Sequence, residues 1–166
     1  ASFQALCDKK QLHLHISLPD QDVYAMADRH LMEMLLDNLL SNACKYTPSH
    51  GNIEISLRYN KQKVIIEVKD NGIGIPSKAR KHLFNSVYRA ENARESHESG
   101  TGFGLLQVQR IVKMLHGKVS YESEVNKGTT FSVTLQKAHT SGYFTPIITF
   151  TTKRKYYIFF TREERG

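Results

Sequence analysis

Tryptophan is missing from this chain of 166 residues, cysteine occurs twice and proline four times. The two cysteines, Cys7 and Cys44, form no CxxC pair and no Cys/His spacing suited to zinc, which excludes a disulfide framework and a structural zinc site. Both are expected to be free thiols in a reducing compartment. No apolar run approaches the roughly 20 residues of a membrane helix, so no membrane contact is expected of this stretch. The opening ASFQALCDKK is followed by no apolar h-region and is not expected to be a secretory leader. Internal repeats and low-complexity segments are absent from the sequence as well.

What is there is a length that favours one domain able to bury a core, with a formal net charge of +7. The charge is uneven. Residues 1–136 carry 17 Lys/Arg against 14 Asp/Glu, whereas residues 137–166 carry six against two. A nucleic-acid binder spreads basic residues over one folded face. A basic tail is more often a solvated end, so no nucleic-acid partner is expected.

Residues 3–10 read as the end of a helix. LHLHISL (12–18) alternates apolar and polar residues, a strand signal, and VYAMA (23–27) reads as a short second strand after a turn at Pro19 and Asp20. Asp28 is placed to cap a helix running to about Tyr46. IEISLRY (53–59) and VIIEVKD (64–70) alternate and are joined as a hairpin by Asn60-Lys61-Gln62-Lys63. Residues 77–84 are expected to form a short helix and 89–101 a polar, aperiodic loop. A helix follows from about Phe103 to His116, stopped by Gly117. KVSYESE and TTFSVTL make a second hairpin. Two main helices and about six strands, with tight turns forcing antiparallel pairs, give an α+β class: a two-layer α/β sandwich, a mixed sheet with helices on one face.

Two places carry chemistry. The helix HLMEMLLDNLLSNACKYT has a core stripe of Leu31, Leu35, Leu39 and Ala43. Asn38, Asn42 and Lys45 share a sector about 60° wide beside it, with Glu33, Asp37, Ser41 and Cys44 on another side. Two asparagines cost helix stability, and the arrangement reads either as a solvated edge or as an ion and phosphate site. An amide oxygen suits a magnesium ion that already carries phosphate oxygens. The second place is VKDNGIGIP (68–76), where a β-branched run ends in a carboxylate and two spaced glycines. Alone, that is equally a turn.

Four ordered segments make the pattern specific. NLLSNACKYT (38–47), DNGIGIP (70–76), LFNSVYRA (83–90) and GTGFGL (100–105) resemble the N, G1, F and G2 boxes of the ATP-binding domain of bacterial sensor histidine kinases, in the GHKL superfamily. NKGTTFSVTL (126–135) resembles its closing hairpin. The resemblance implies a Bergerat-type ATP-binding fold over residues 1–135, with 136–166 as an extension forming a β-hairpin or lacking order. It implies that Asp70 accepts the adenine amine, a donor suited to an acceptor-only carboxylate, with Gly72 and Gly74 admitting the purine and Ile75 and Leu105 lining it. Asn42 would hold Mg2+. Lys45, Tyr46, Arg89 and Thr129 would border the nucleotide. Gly100, Thr101, Gly102, Phe103 and Gly104 would meet the ATP phosphates under a lid at 91–100, the free N–H groups of a helix start favouring anions.

The family's ATPases carry a glutamate where this chain has Asn38, and an amide does not take a proton from water at neutral pH. The resemblance therefore implies a protein-histidine kinase part that keeps the γ-phosphoryl group of Mg-ATP for an acceptor. The implied acceptor is a histidine on a separate dimerisation domain of the same kinase, and a response regulator receiver domain is the further partner. None of the eight histidines is followed by H-E/D-x-x-T/N-P, so the acceptor domain is expected upstream of Ala1, in the cytoplasmic part of a membrane-anchored sensor. Asn85 and Val87 depart from the usual acidic residue and phenylalanine of the F box. The tail PIITFTTKRKYYIFFTREE does not resemble a receiver domain. A degenerate nucleotide-binding module without transfer, or a GHKL-type ATPase, stand as the other two readings.

Overall fold

The computed structural model describes residues 3–20, 23–79, 81–84, 90–91, 102–138, 147–150 and 158–161. Helix α1 (Phe3–Lys10) leads into strand β1 (His13–Ser17) and a two-residue β2 (Val23–Tyr24). Helix α2 (Arg29–Tyr46) follows, then β3 (Asn52–Tyr59) and β4 (Lys63–Asp70). After a 3-10 turn at Ser77–Ala79 come α3 (Gly104–Met114), β5 (Lys118–Glu124), β6 (Gly128–Gln136), β7 (Ile147–Phe150) and β8 (Ile158–Thr161).

Five strands form one sheet in the order β1-β3-β4-β6-β5. β1 runs parallel to β3, and the remaining pairs are antiparallel. Alternation sets the faces. Ile53, Ile55 and Leu57 of β3, Val64, Ile66 and Val68 of β4, and Phe131, Val133 and Leu135 of β6 all point into one core. Met32, Leu35, Leu39 and Leu40 of α2 and Val108, Ile111 and Val112 of α3 fill that core from above. Each such side chain removed from water contributes about 2 kcal/mol. The opposite sheet face carries Glu54, Arg58 and Lys69, all exposed. The expected α+β sandwich is the observed one.

Local chemistry explains the element ends. Asp28 accepts from Leu31 N at 2.9 Å and caps α2. Asn60 Oδ1 accepts from the N–H groups of Gln62 and Lys63 at 2.9 and 2.8 Å, closing the first hairpin.

Several expectations are corrected. Among the described residues of 77–84, Ser77–Ala79 form a 3-10 turn in place of the expected α-helix; so short a segment does not repay helix nucleation. VYAMA shortens to β2, which pairs with β7, not with the main sheet. Ala25 bridges Lys137 beyond β6. The left-handed residue ending α3 is His116 (φ 53), and Gly117 N reaches back to Val112 O at 2.9 Å. Glycine is needed at 117 for room, because a Cβ there would press on Leu135 and the Thr134 carbonyl. Cys44 is fully buried rather than on the polar side of α2, its Sγ 2.7 Å from that of Cys7 in a thiol–thiol hydrogen bond without a disulfide. Within the tail, β7 pairs antiparallel with β8.

Candidate functional site

Asp70 ends β4 opposite Ile53 on β3 and Thr129 on β6. It is 9% exposed. Its Oδ1 accepts from Gly72 N at 2.8 Å and from Thr129 N at 3.2 Å. Burial pushes the carboxyl up to about 6 from an ordinary 3.8, outweighing those two N–H groups, which favour the charged form. Both bonds fall on Oδ1, so among the described residues no donor meets Oδ2.

The turn after Asp70 is held from two sides. The Tyr46 carbonyl, at the end of α2, accepts from Ile73 N at 3.0 Å. Gly72 lies on that same carbonyl, where any Cβ would overlap it. On the other side Gly74, at φ +68, rests on the Glu124 carbonyl. Ile75 N donates to Ser123 Oγ at 2.8 Å. Ser123 donates in turn to the Gly128 carbonyl at 3.1 Å, so Thr129 Oγ1, at 2.8 Å, is the donor to Ser123. Tyr46, Ile75, Ala79 and Ala90 gather into a small apolar cluster beside the turn.

The middle of α2 meets the start of α3. Asn38 Nδ2 donates to Met34 O at 2.8 Å and to Gln107 Oε1 at 3.1 Å. A Cβ on Gly104 would stand 3.1 Å from Asn38 Oδ1 and 3.8 Å from Asn42 Nδ2. Gly102 takes φ +76, Phe103 is exposed at the N-cap, and Leu105 is half-buried against the core. Lys45 is half-buried on the last turn of α2.

Thus α2 joins two groups of the residues named from sequence. Gly72 and Ile75 meet its C-terminal end at Tyr46, Asp70 and Thr129 join them through the Gly72 and Thr129 N–H groups on Asp70 Oδ1, and Gly74 rests on Glu124. Gly104 meets the middle of α2 at Asn38 and Asn42. Arg89, Gly100 and Thr101 lie outside the described residues, as do Asn85, Val87 and residues 92–100 of the expected lid. Sequence reasoning missed Ser123 and Gln107. Ser123 had no local signal, since it acts across β5 and β6. Gln107 had a faint one, a polar residue following Leu105 and Leu106 in the first turn of the helix.

Residues 27–139 match the family described as histidine kinase-, DNA gyrase B-, and HSP90-like ATPase. The chain belongs to this family. Its curated relatives include the sensor histidine kinase WalK of Bacillus subtilis, 38% identical over 130 residues, covering 76% of this chain and 21% of WalK. The adaptive-response sensory kinase SasA of Synechocystis is 34% identical over 134 residues, covering 80% of this chain and 34% of SasA. The chain thus spans about a fifth to a third of the length of these relatives. Among solved structures, the catalytic domain of histidine kinase ThkA superposes with a TM-score of 0.70 at 26% identity, covering 81% of this chain and 86% of that one. The ATPase-family match begins just before α2 and runs past β6, so it encloses both glycine turns and the asparagines of α2. ATP use is the property this family membership carries. Among the described residues no helix is long and apolar enough to cross a membrane.

Proposed function

We propose that this chain binds Mg-ATP between α2, the Asp70 turn and the start of α3, and donates the γ-phosphoryl group to a histidine on a separate dimerisation domain in two-component signalling. One observation carries the reading: a buried carboxylate with one oxygen unclaimed and a glycine-fronted helix start both adjoin the same polar helix. Adenine would be read at Asp70, whose Oδ2 accepts from the exocyclic amine. Ile75 and Leu105 would cover the base. The phosphates would meet the N–H groups at the start of α3, where the helix dipole favours anions, with Lys45 and Arg89 adding charge.

The residues fit magnesium of the phosphate-bound kind. Asn42 lies beside Gly104, with its Nδ2 toward it, and carries one neutral amide oxygen that would serve as the ligand. No cluster of three His, Cys, Asp or Glu forms a cage among the described residues, and magnesium shared with ATP needs none. When bound, the ion would offset charge on the phosphate oxygens. Asn38 presents an amide tied to Met34 and Gln107, and Glu33 and Asp37 are exposed. Among the described residues no carboxylate takes the place of Asn38 to accept a proton from water, so hydrolysis should be slow and positioning should supply the rate of transfer. Residues 1–135 would form the nucleotide-binding unit and 136–166 an extension. A response regulator would receive the phosphoryl group next, in the cytoplasmic part of a membrane-anchored sensor.

Labelled ATP and magnesium test the proposal. The chain alone should bind ATP without acquiring acid-labile label. Adding a sensor-kinase dimerisation domain as a separate polypeptide should produce phosphohistidine on that domain. Binding without transfer would replace the kinase reading with a regulatory nucleotide module. Turnover of ATP at about 1 s⁻¹ or more by the chain alone would favour an ATPase.

A further inference from the structure

The final carbonyls of a helix have no partners within it. At the end of α2 they are met by another helix. Lys10, the last residue of α1, donates from Nζ to the carbonyls of Cys44 at 3.1 Å, Lys45 at 2.5 Å and Thr47 at 3.3 Å. A cation there also complements the helix dipole. The backbone stitches the same junction: the Lys10 carbonyl accepts from His50 N at 3.0 Å, and the Gly51 carbonyl from His13 N at 2.8 Å. One turn earlier on α1, Cys7 touches Cys44.

Between the carbonyls that Lys10 holds lies Tyr46. Its own carbonyl points the other way, accepting from Ile73 N and forming the surface on which Gly72 rests. Gly72 N in turn holds Asp70 Oδ1. A continuous chain of contacts therefore runs from the ammonium of α1 through the last turn of α2 to the buried carboxylate. We infer that Lys10 is a positioning residue for nucleotide binding, and that the seating of α1 on α2 sets the affinity for ATP. The inference rests on the nucleotide site proposed above. Without the ammonium, three carbonyls turn to water and the last turn of α2 frays, taking with it the surface under the Asp70 turn.

Calorimetric titration of the full chain with Mg-ATP tests this. Lys10→Met keeps the length and loses the charge; it should bind about tenfold more weakly, and the Ile73 amide should exchange faster with solvent. Lys10→Arg retains charge and donors and should recover most of the affinity. Lys9→Met, at the exposed neighbouring lysine, should bind as the unaltered chain does. If Lys10→Met does not fold, Lys10→Gln, a weaker donor, should show the same loss in reduced degree. A folded Lys10 variant with unchanged affinity and unchanged Ile73 exchange overturns the inference. Asp70→Asn, titrated alongside, separates the two readings. If it weakens binding while Lys10→Met does not, the role of Lys10 alone falls. If neither weakens binding, the nucleotide site falls as well.

Discussion

The glycines of the two glycine turns lie against different kinds of neighbour. Gly72 and Gly74, after β4, rest on backbone: the carbonyls of Tyr46 and Glu124, which are fixed by a helix end and a strand end. Gly104, opening α3, faces two side-chain amides at ordinary or slightly tight distances, with an unexceptional φ. The fold itself forbids a side chain at the first turn. At Gly104 it tolerates one, so the need for glycine there comes from what else must fit, whereas Gly102, at φ +76, is favoured by its backbone. The contrast separates glycine kept for folding from glycine kept for a ligand.

The sharpest way to break the contrast is Gly74→Ala. The new Cβ would overlap the Glu124 carbonyl and force a side chain into φ +68. The unfavourable left-handed backbone and the overpacking together should cost about 3 kcal/mol of stability, read as a shift in the urea midpoint. A variant as stable as the parent would mean that the β4 turn is not locked to β5 as described.

Asp70→Asn comes next and should move stability and binding in opposite directions. The folded carboxyl titrates at about 6, above its ordinary 3.8. The folded state therefore holds its proton more tightly, and this group's stabilisation is complete below pH 3.8 and lost as pH rises through about 6. At pH 8 the buried charge is a cost that asparagine removes, raising stability by about 2 kcal/mol. At pH 4 the gain should largely vanish. Asparagine can still accept from Gly72 and Thr129 through Oδ1, but its amide would oppose the adenine amine. ATP affinity at pH 8 should fall about 30-fold, the worth of a charged hydrogen bond. Equal ATP affinity in the two proteins would sink the purine assignment, whatever the melting curves show.

How far the sequence carries depends on how local each contact is. The buried faces of β3, β4 and β6 were readable because alternation is a period of two, and the α2 cap was readable because Asp28 acts on Leu31. The residues of the Asp70 turn were nameable because turn chemistry and box order are written consecutively. The parallel partnership of β1 with β3, and of β2 with β7 rather than the main sheet, were not, since pairing partners leave no local trace. The residues that brace the candidate site were equally invisible. Lys10 reaches 35 positions to the Lys45 carbonyl, Ser123 reaches 48 positions to Ile75, and Asn38 reaches 69 positions to Gln107. A lysine ending a helix and a serine in an alternating strand look like solvated residues until the fold closes around them.

The finest test of the contrast is Gly104→Ala. Alanine is favoured over glycine in a helix, by about 1 kcal/mol in the interior and by less at a first position such as 104. The added Cβ would stand 3.1 Å from Asn38 Oδ1, a few tenths of an ångström too close. That oxygen belongs to a side chain whose nitrogen is tethered to Met34 and Gln107, so a small adjustment is available at small cost. The two effects should nearly cancel, leaving the urea midpoint within about 0.5 kcal/mol of the parent. Binding should not be spared. A methyl group at the helix start stands where phosphate must approach the backbone N–H groups, and ATP affinity should fall about tenfold. Loss of affinity with stability intact is the signature of a glycine kept for a ligand. Loss of stability comparable to Gly74→Ala would place both turns in the same class, and unchanged affinity would remove the phosphates from the start of α3.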